Sequence, residues 1–253
     1  MIKIVSKNWT IDNIETVLFD KDGTFIDLHY FWGKMTEMRV LEIIKRFNLS
    51  KSHLCPFCEY LGYDIKTKKM LSNGITALYS RIKIIEIFKK KLEEAAVFAE
   101  ESEIAEIFDF VSSEFYKEIE KYTQPIEEAI EFIKVLRNMG IKVGIVTSDS
   151  VESTNLTIQN QGWENLFDVI IGRESTPEPK ESGVPTKMAL EKLNSTPERA
   201  IMIGDAPTDY ISAKNAGINN TILVATGQIS AEELFKTSPY VLKSLKELKC
   251  LKI

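Results

Sequence analysis

Val17-Leu18-Phe19-Asp20-Lys21-Asp22-Gly23-Thr24 is an apolar strand that runs directly into two carboxylates one residue apart and then a glycine. Residues two apart on a strand share a face, and a turn beginning at Gly23 bends the chain so that Asp20 and Asp22 converge on one pocket with backbone N–H groups. Two carboxylates facing a bound phosphate repel it unless a divalent cation sits among them, so the pattern implies a metal. Mg²⁺ suits it, because that ion takes one or two carboxylates plus phosphate oxygens and water. The plainer alternative is a strand ending in an ordinary polar turn, since Asp, Gly and Thr are common turn residues.

Outward from this stretch the chain has two textures. From about Thr123 onward, short apolar strands alternate with amphipathic helices, the pattern of a parallel sheet covered on both faces, so the fold class is α/β. Pro125 suits a first helical turn; Ile126, Ala129, Ile130, Ile133 and Leu136 recur at helical spacing, and Gly140 closes the helix. Strands follow over 142–147, 168–171, 200–203 and 221–224, with helices over 151–161, 186–193 and 207–216 and a last strand–helix pair near Val241 and Leu245. The repeat reads as βα throughout.

Between His29 and Tyr122 helical periodicity dominates and no strand is expected. Helices are predicted over 31–47, 74–92 and 93–121, the last with a break near Glu101-Ser102. Lys89-Lys90-Lys91-Leu92-Glu93-Glu94 reads as a solvated helix face with opposite charges at helical spacing. Phe31, Trp32, Phe108, Phe110, Phe115 and Tyr116 read as bundle core rather than a ligand cage. The domain boundaries predicted from these textures are residues 1–28 with 123–253 for the α/β core and 29–122 for an inserted helical domain.

The 253 residues suffice for a large domain with an inserted unit. With 44% hydrophobic and 27% charged residues the composition is that of a soluble globular protein. No segment has the apolar length of a membrane span, and the start, Met1-Ile2-Lys3-Ile4-Val5-Ser6-Lys7, lacks the apolar stretch and cleavage site of a signal peptide, so the expected location is cytoplasmic. A formal net charge of −5, without a basic patch interleaved with aromatics, argues against nucleic acid as a partner. Three cysteines, an odd count, do not suggest a disulfide framework. Cys55-Pro56-Phe57-Cys58 near His53 resembles half a zinc site or a redox pair, but no second C-x-x-C exists and no βαβ unit surrounds it; a structural turn is the preferred reading.

Three further signals stand at the carboxyl ends of predicted strands, where open parallel sheets bind ligands. Thr147-Ser148-Asp149 places a hydroxyl and a backbone N–H where a phosphate oxygen can lie, though a helix N-cap would use the same residues. The loop after Ile170-Ile171-Gly172 carries Arg173 and Lys180 among Pro and Glu residues. Ile203-Gly204-Asp205 ends a buried strand, and Asp209 follows in the first turn of a helix.

Taken in order, Asp20-Lys21-Asp22-Gly23-Thr24, Thr147, Lys180 and Gly204-Asp205 with Asp209 resemble the four motifs of the haloacid dehalogenase superfamily, and the helical insert resembles the cap of its phosphoglycolate phosphatase and β-phosphoglucomutase-like branch. The resemblance spans about residues 16–247. It implies a Rossmann-like parallel sheet core with an inserted α-helical cap, and Mg-dependent hydrolysis of a small-molecule phosphate monoester. Asp20 would then be the nucleophile that forms an aspartyl-phosphate, and Asp22 the general acid and base. Mg²⁺ would be held by Asp20, the backbone carbonyl of Asp22 and Asp205, with Asp209 either a further ligand or the residue that orients one. Thr147, Ser148, Lys180 and the backbone around Gly23 and Thr24 would hold the phosphoryl oxygens.

The chain departs from the family pattern in three places. Lys21 stands where many family phosphatases carry an apolar residue; Lys180 is not followed by proline, which keeps Lys187 open as the third-motif lysine; and the serine often found after the equivalent of Asp27 is absent. Asp22 argues against a dehalogenase or a transport ATPase. A sugar phosphomutase of the same superfamily and a non-catalytic phosphate-binding regulatory protein remain the alternatives to a phosphatase. Substrate identity and oligomeric state are open at this point.

Overall fold

The strands of the computed structural model, which describes residues 1–253, are β1 (Ile2–Val5), β2 (Thr10–Ile14), β3 (Thr16–Phe19), β4 (Tyr63–Asp64), β5 (Lys69–Met70), β6 (Lys142–Val146), β7 (Val169–Ile171), β8 (Ala200–Gly204), β9 (Asn220–Val224), β10 (Val241–Leu242) and β11 (Lys249–Lys252). Contacts divide the chain into two compact units, Met1–Asp27 with Pro125–Ile253, and Leu28–Gln124.

The first unit is built on a 6-stranded sheet of order β10-β9-β8-β3-β6-β7, parallel in every pairing. Helices cover it, so its central strands are apolar without alternation: all of Thr16-Val17-Leu18-Phe19 and all of Ala200-Ile201-Met202-Ile203-Gly204 are buried. Leu18, Val146, Ile171 and Met202 pack with Ala189, Leu190 and Ala213 of helices Val184–Lys192 and Pro207–Asn215. The register pairs Phe19 with Ile145 and with Ile203, and Val146 with Ile171. Parallel strands in this register all end at one edge, which brings the residues following β3, β6, β7 and β8 side by side there. This is the expected α/β class, with strands and helices within a few residues of their predicted bounds.

Two features of this unit depart from the sequence reading. β1, β2 and β11 form a separate antiparallel sheet of order β11-β1-β2, with Ile4 opposite both Cys250 and Ile11, so the repeat is not βα throughout. Its signal is the alternation that buries Ile2 and Ile4 completely. Pro125 lies outside the helix, which runs Glu127–Asn138; the Pro125 backbone instead bridges to Ile26, and Ile126 N–H donates to the Phe25 carbonyl.

The second unit contains helices Leu28–Arg46, Leu54–Leu61, Arg81–Glu94 and Glu101–Lys117, with short helical turns between. It also holds a hairpin where no strand was expected: β4 and β5 pair antiparallel, and the Asp64 carboxylate closes the turn by accepting from Lys66 N–H at 2.8 Å and Thr67 Oγ1 at 2.8 Å. The expected 74–92 helix is divided, because Tyr79 and Ser80 are extended. The expected 93–121 helix begins later, at Glu101, where the Glu103 carboxylate accepts from Glu100 N–H at 2.7 Å. Phe31, Phe108 and Phe115 are core residues, with Phe31 edge-on to Phe115 at 5.0 Å; Phe110 is exposed below Arg46. Cys55 and Cys58 lie in a helix rather than a turn; Cys55 is exposed and Cys58 buried. No helix is long and apolar enough to cross a membrane.

Candidate active site

The turn after β3 is a tight knot of backbone bonds. Asp20 N–H donates to the Ile203 carbonyl at 2.9 Å, which ties the strand end to β8, and the Lys21 carbonyl accepts from Thr24, Phe25 and Ile26. Gly23 N–H donates to Ile26. The N–H groups of Gly23 and Thr24, expected to hold phosphoryl oxygens, are engaged inside the turn. Gly23 serves another need: its φ is +92°, and a Cβ there would overlap the Asp205 carboxylate. Thr24 keeps a buried hydroxyl without a partner.

Asp20, Asp205 and Asp209 come together from β3, the end of β8 and the following helix, each buried, with one oxygen apiece within 4.8 Å of the others. Glycines make room for them: a Cβ on Gly227 would overlap Asp205, and one on Gly204 would overlap Asp209. Asp209 also accepts from Ala206 N–H at 3.0 Å, which fixes its carboxylate at the helix start. Lys180 Nζ lies 2.6 Å from Asp20 Oδ1 and 2.6 Å from Asp209 Oδ1. Lys187, the alternative, is exposed on helix Val184–Lys192, and Arg173 is exposed as well.

This crowding shifts the titrating groups. Burial pushes the Asp20 carboxyl up to about 6 against the Lys180 ammonium, and the Asp209 carboxylate adds to the rise. Burial and then the charges of Asp20 and Asp209 hold Asp205 well above the usual carboxylate range. Burial opposes the Lys180 ammonium, but Asp20 and Asp209 outweigh it and raise its pKa above the usual lysine value. Three carboxyl groups share one ammonium, so their full ionisation calls for further positive charge. That donor set, all oxygen and held apart from bulk water, fits a hard divalent cation such as Mg²⁺.

Asp22 faces a different neighbourhood. Its carboxylate does not join the acidic cluster: Oδ1 accepts from Lys21 Nζ at 2.6 Å, and the same Nζ lies 3.0 Å from Asp149 Oδ2. Any part for Asp22 as a metal ligand falls to its backbone carbonyl. Burial pushes the Asp22 carboxyl up to about 6 against Lys21, with Asp149 adding to the rise.

At the end of β6, Thr147 N–H is taken by the Ile171 carbonyl at 3.0 Å, and the Thr147 hydroxyl accepts from Asp149 N–H at 3.1 Å. Ser148 is exposed. The helix N-cap role falls to Ser150, which accepts from Ser153 N–H at 3.0 Å, leaving Thr147 and Ser148 out of the cap. Sequence reasoning overlooked Thr226 and Gly227, which follow β9. The Thr226 hydroxyl donates to the Gly23 carbonyl at 2.5 Å, and Gly227 is the residue that admits Asp205. Their position just past another buried parallel strand was the available signal.

The family model for haloacid dehalogenase-like hydrolases matches residues 14–217. Among curated relatives, a pyrophosphatase PpaX from Bacillus pumilus is 26% identical over 236 residues, covering 93% of this chain and 94% of the relative. A phosphoglycolate phosphatase from Aquifex aeolicus is 25% identical over 211 residues, 83% of this chain and 84% of its own. Among solved structures, CbbY from Rhodobacter sphaeroides in complex with phosphate superposes with a TM-score of 0.65 at 18% identity, covering 92% of this chain and 96% of that one. At that identity the likeness bears on the fold.

Proposed function

The chain belongs to the haloacid dehalogenase-like hydrolase family, and from that premise we propose that it is a phosphatase hydrolysing a small-molecule phosphate monoester through an aspartyl-phosphate on Asp20. The observation that carries this reading is the separation of two carboxylates only two residues apart onto different partners. Asp20 sits in the acidic cluster with Lys180, whereas Asp22 sits against Lys21 and Asp149. Each carboxylate is held by its own lysine, so attack and proton transfer can fall to different groups.

Asp20, Asp205, Asp209 and the Asp22 carbonyl are the groups that would hold Mg²⁺. The ion supplies charge neutralisation, which lets an anionic phosphate approach three carboxylates. Asp20 Oδ attacks phosphorus as the bond to the leaving oxygen breaks, and Asp22 gives its proton to that oxygen. One ammonium against two carboxylates around Lys21 leaves room for that proton on Asp22. Asp22 then takes a proton from the water that cleaves the aspartyl-phosphate, releasing inorganic phosphate and restoring both groups. Lys180, with the Thr147 hydroxyl and Ser148 from the loop after β6, would donate to the phosphoryl oxygens, Lys180 exchanging its hold on Asp20 for the developing negative charge.

The names of the relatives set the substrates to try first: pyrophosphate and 2-phosphoglycolate, then sugar phosphates and nucleoside monophosphates. The test is inorganic phosphate release from this panel with Mg²⁺ and with EDTA. Release that requires the ion is expected. Release from none of them would favour the phosphate-binding protein, and isomerisation of a sugar phosphate without net release would favour the phosphomutase.

A further inference from the structure

Lys21 follows the residue proposed as nucleophile in a turn, a place where a lysine ordinarily reaches into water. Here its side chain is 0% exposed. Burying an ammonium is costly unless it is paired, and Lys21 is paired twice, with Asp22 Oδ1 at 2.6 Å and Asp149 Oδ2 at 3.0 Å. Asp149 comes from the end of β6 and has no part in the chemistry described above. It is nevertheless held firmly: its N–H donates to Thr147 Oγ1 at 3.1 Å, its Oδ1 accepts from Ser150 N–H at 2.8 Å, and its carbonyl accepts from Arg173 N–H at 2.9 Å. Anchorage therefore runs from the β6 loop through Asp149 to Lys21, and from Lys21 to Asp22.

The three side chains differ in access. Asp149 and Lys21 are closed off at 3% and 0%, while Asp22 is 13% exposed. With Oδ1 committed to Lys21, Oδ2 is the Asp22 oxygen left for a reacting group. An aspartate has two side-chain torsions and several rotamers open to it in a turn. Proton transfer demands a single one, with the oxygen within hydrogen-bond reach of the leaving group.

We propose that Lys21 and Asp149 are positioning residues, a clamp between two strand ends that fixes the Asp22 carboxylate so that Oδ2 is the proton-transferring atom. The proposal rests on the phosphatase reading for the meaning of Asp22, but the clamp itself is a statement about where a side chain is held. A merely structural ion pair predicts loss of stability on its removal. A clamp predicts loss of the function of one particular neighbour.

The test compares the charge-balanced variant Lys21→Met/Asp149→Leu, Asp22→Asn, and the triple variant. Removing Lys21 and Asp149 together keeps the net charge unchanged and leaves Asp22, the most exposed of the three, as the one remaining carboxylate; if that pair does not fold, Lys21→Gln/Asp149→Asn takes its place. Since positioned proton transfer contributes about a hundredfold or more, the clamp variant should lose about tenfold or more in kcat on an alkyl phosphate, whose leaving group needs the proton. KM should change little. In the Asp22→Asn background the same substitutions should cost less than about twofold, because the group they position is already gone. Losses that multiply in the triple variant, or a clamp variant with undiminished kcat, overturn the proposal. A crystal structure of the clamp variant supplies a readout independent of turnover: Asp22 is expected in a new or mixed rotamer, and an unmoved Asp22 carboxylate contradicts the clamp. If the wild-type protein hydrolyses nothing, the phosphatase reading falls, and that structure still decides whether Lys21 and Asp149 hold Asp22.

Discussion

Lys180 Nζ stands 2.6 Å from Asp20 Oδ1, joining residues 160 positions apart in the chain. Both are buried, and the same ammonium reaches Asp209 at 2.6 Å, so one lysine links two members of the acidic cluster. The energetic sense is asymmetric. The pair gains little over an apolar replacement of the whole cluster, but removing the lysine alone leaves carboxylates facing one another in a buried site.

Lys180→Ala should therefore lower turnover by about a hundredfold or more, the scale of a lost oxyanion donor. Lys187→Ala, on the exposed face of its helix, should stay within about twofold of the parent on the same principle that it touches no reacting group. Steady-state kinetics on any hydrolysed ester of the panel ranks the two.

Divalent-ion binding should stabilise the protein. Asp20, Asp205 and Asp209 share the single Lys180 ammonium, so a divalent cation would complete their charge balance, and a ligand bound only by the folded state raises stability by mass action. Thermal unfolding followed with increasing Mg²⁺ should show a rising Tm, with a smaller rise for Asp205→Asn. An Asp205→Asn protein that responds to Mg²⁺ as the parent does would remove Asp205 from the ligand set.

Much of the parallel sheet was legible because its signals are local. Apolar runs bounded by turn residues mark β3, β6, β8 and β9, and parallel strands force their carboxyl ends to one edge, so Asp20, Thr147 and Asp205 could be grouped without a structure. The lysine loop after β7 was readable for the same reason. What escaped depends on distant partners. β1 and β11 pair from opposite ends of the chain, and only the pairing gives Ile4 and Cys250 a shared sheet. The inward turn of Lys21 follows from Asp149 in the loop after β6, and the need for glycine at 227 follows from Asp205. That the Ile26 and Lys21 carbonyls receive the N–H groups of Gly23 and Thr24 is likewise invisible in the sequence.

Gly227→Ala isolates one of those distant demands. A Cβ there overlaps the Asp205 carboxylate, which must shift, so activity and the Mg²⁺ response should both fall. Gly140→Ala is the control: its φ of +76° makes the substitution strained, but no atom lies within 4 Å of the added Cβ. It should cost about 1 kcal/mol of stability and leave kinetics unchanged. Equal kinetic loss in both would show that the Gly227 effect does not come from the overlap with Asp205.

The cysteines should separate by reactivity. The thiolate is the nucleophile, so a raised pKa lowers the reactive fraction at a given pH. Burial pushes the Cys58 thiol up to about 12 and the Cys250 thiol up to about 11, whereas Cys55 is exposed. Iodoacetamide at pH 8 followed by peptide mass mapping should modify Cys55 first, and Cys55→Ser/Cys58→Ser should keep its activity. Rapid labelling of Cys58 in the folded protein would show that the Leu54–Leu61 helix is not packed as described.

The measurement that bears most directly on the account is intact-protein mass spectrometry after rapid acid quench, applied to Asp20→Asn and Asp22→Asn. The two positions are two residues apart yet held by different lysines, Asp20 by Lys180 and Asp22 by Lys21. With an aryl phosphate whose leaving group needs no proton, Asp22→Asn should gain the mass of one phosphoryl group and keep it, because attack proceeds and water is no longer activated. Asp20→Asn should gain none. A phosphorylated Asp20→Asn protein, or an Asp22→Asn protein that turns over at the parent rate, would contradict the division of labour proposed for these two carboxylates.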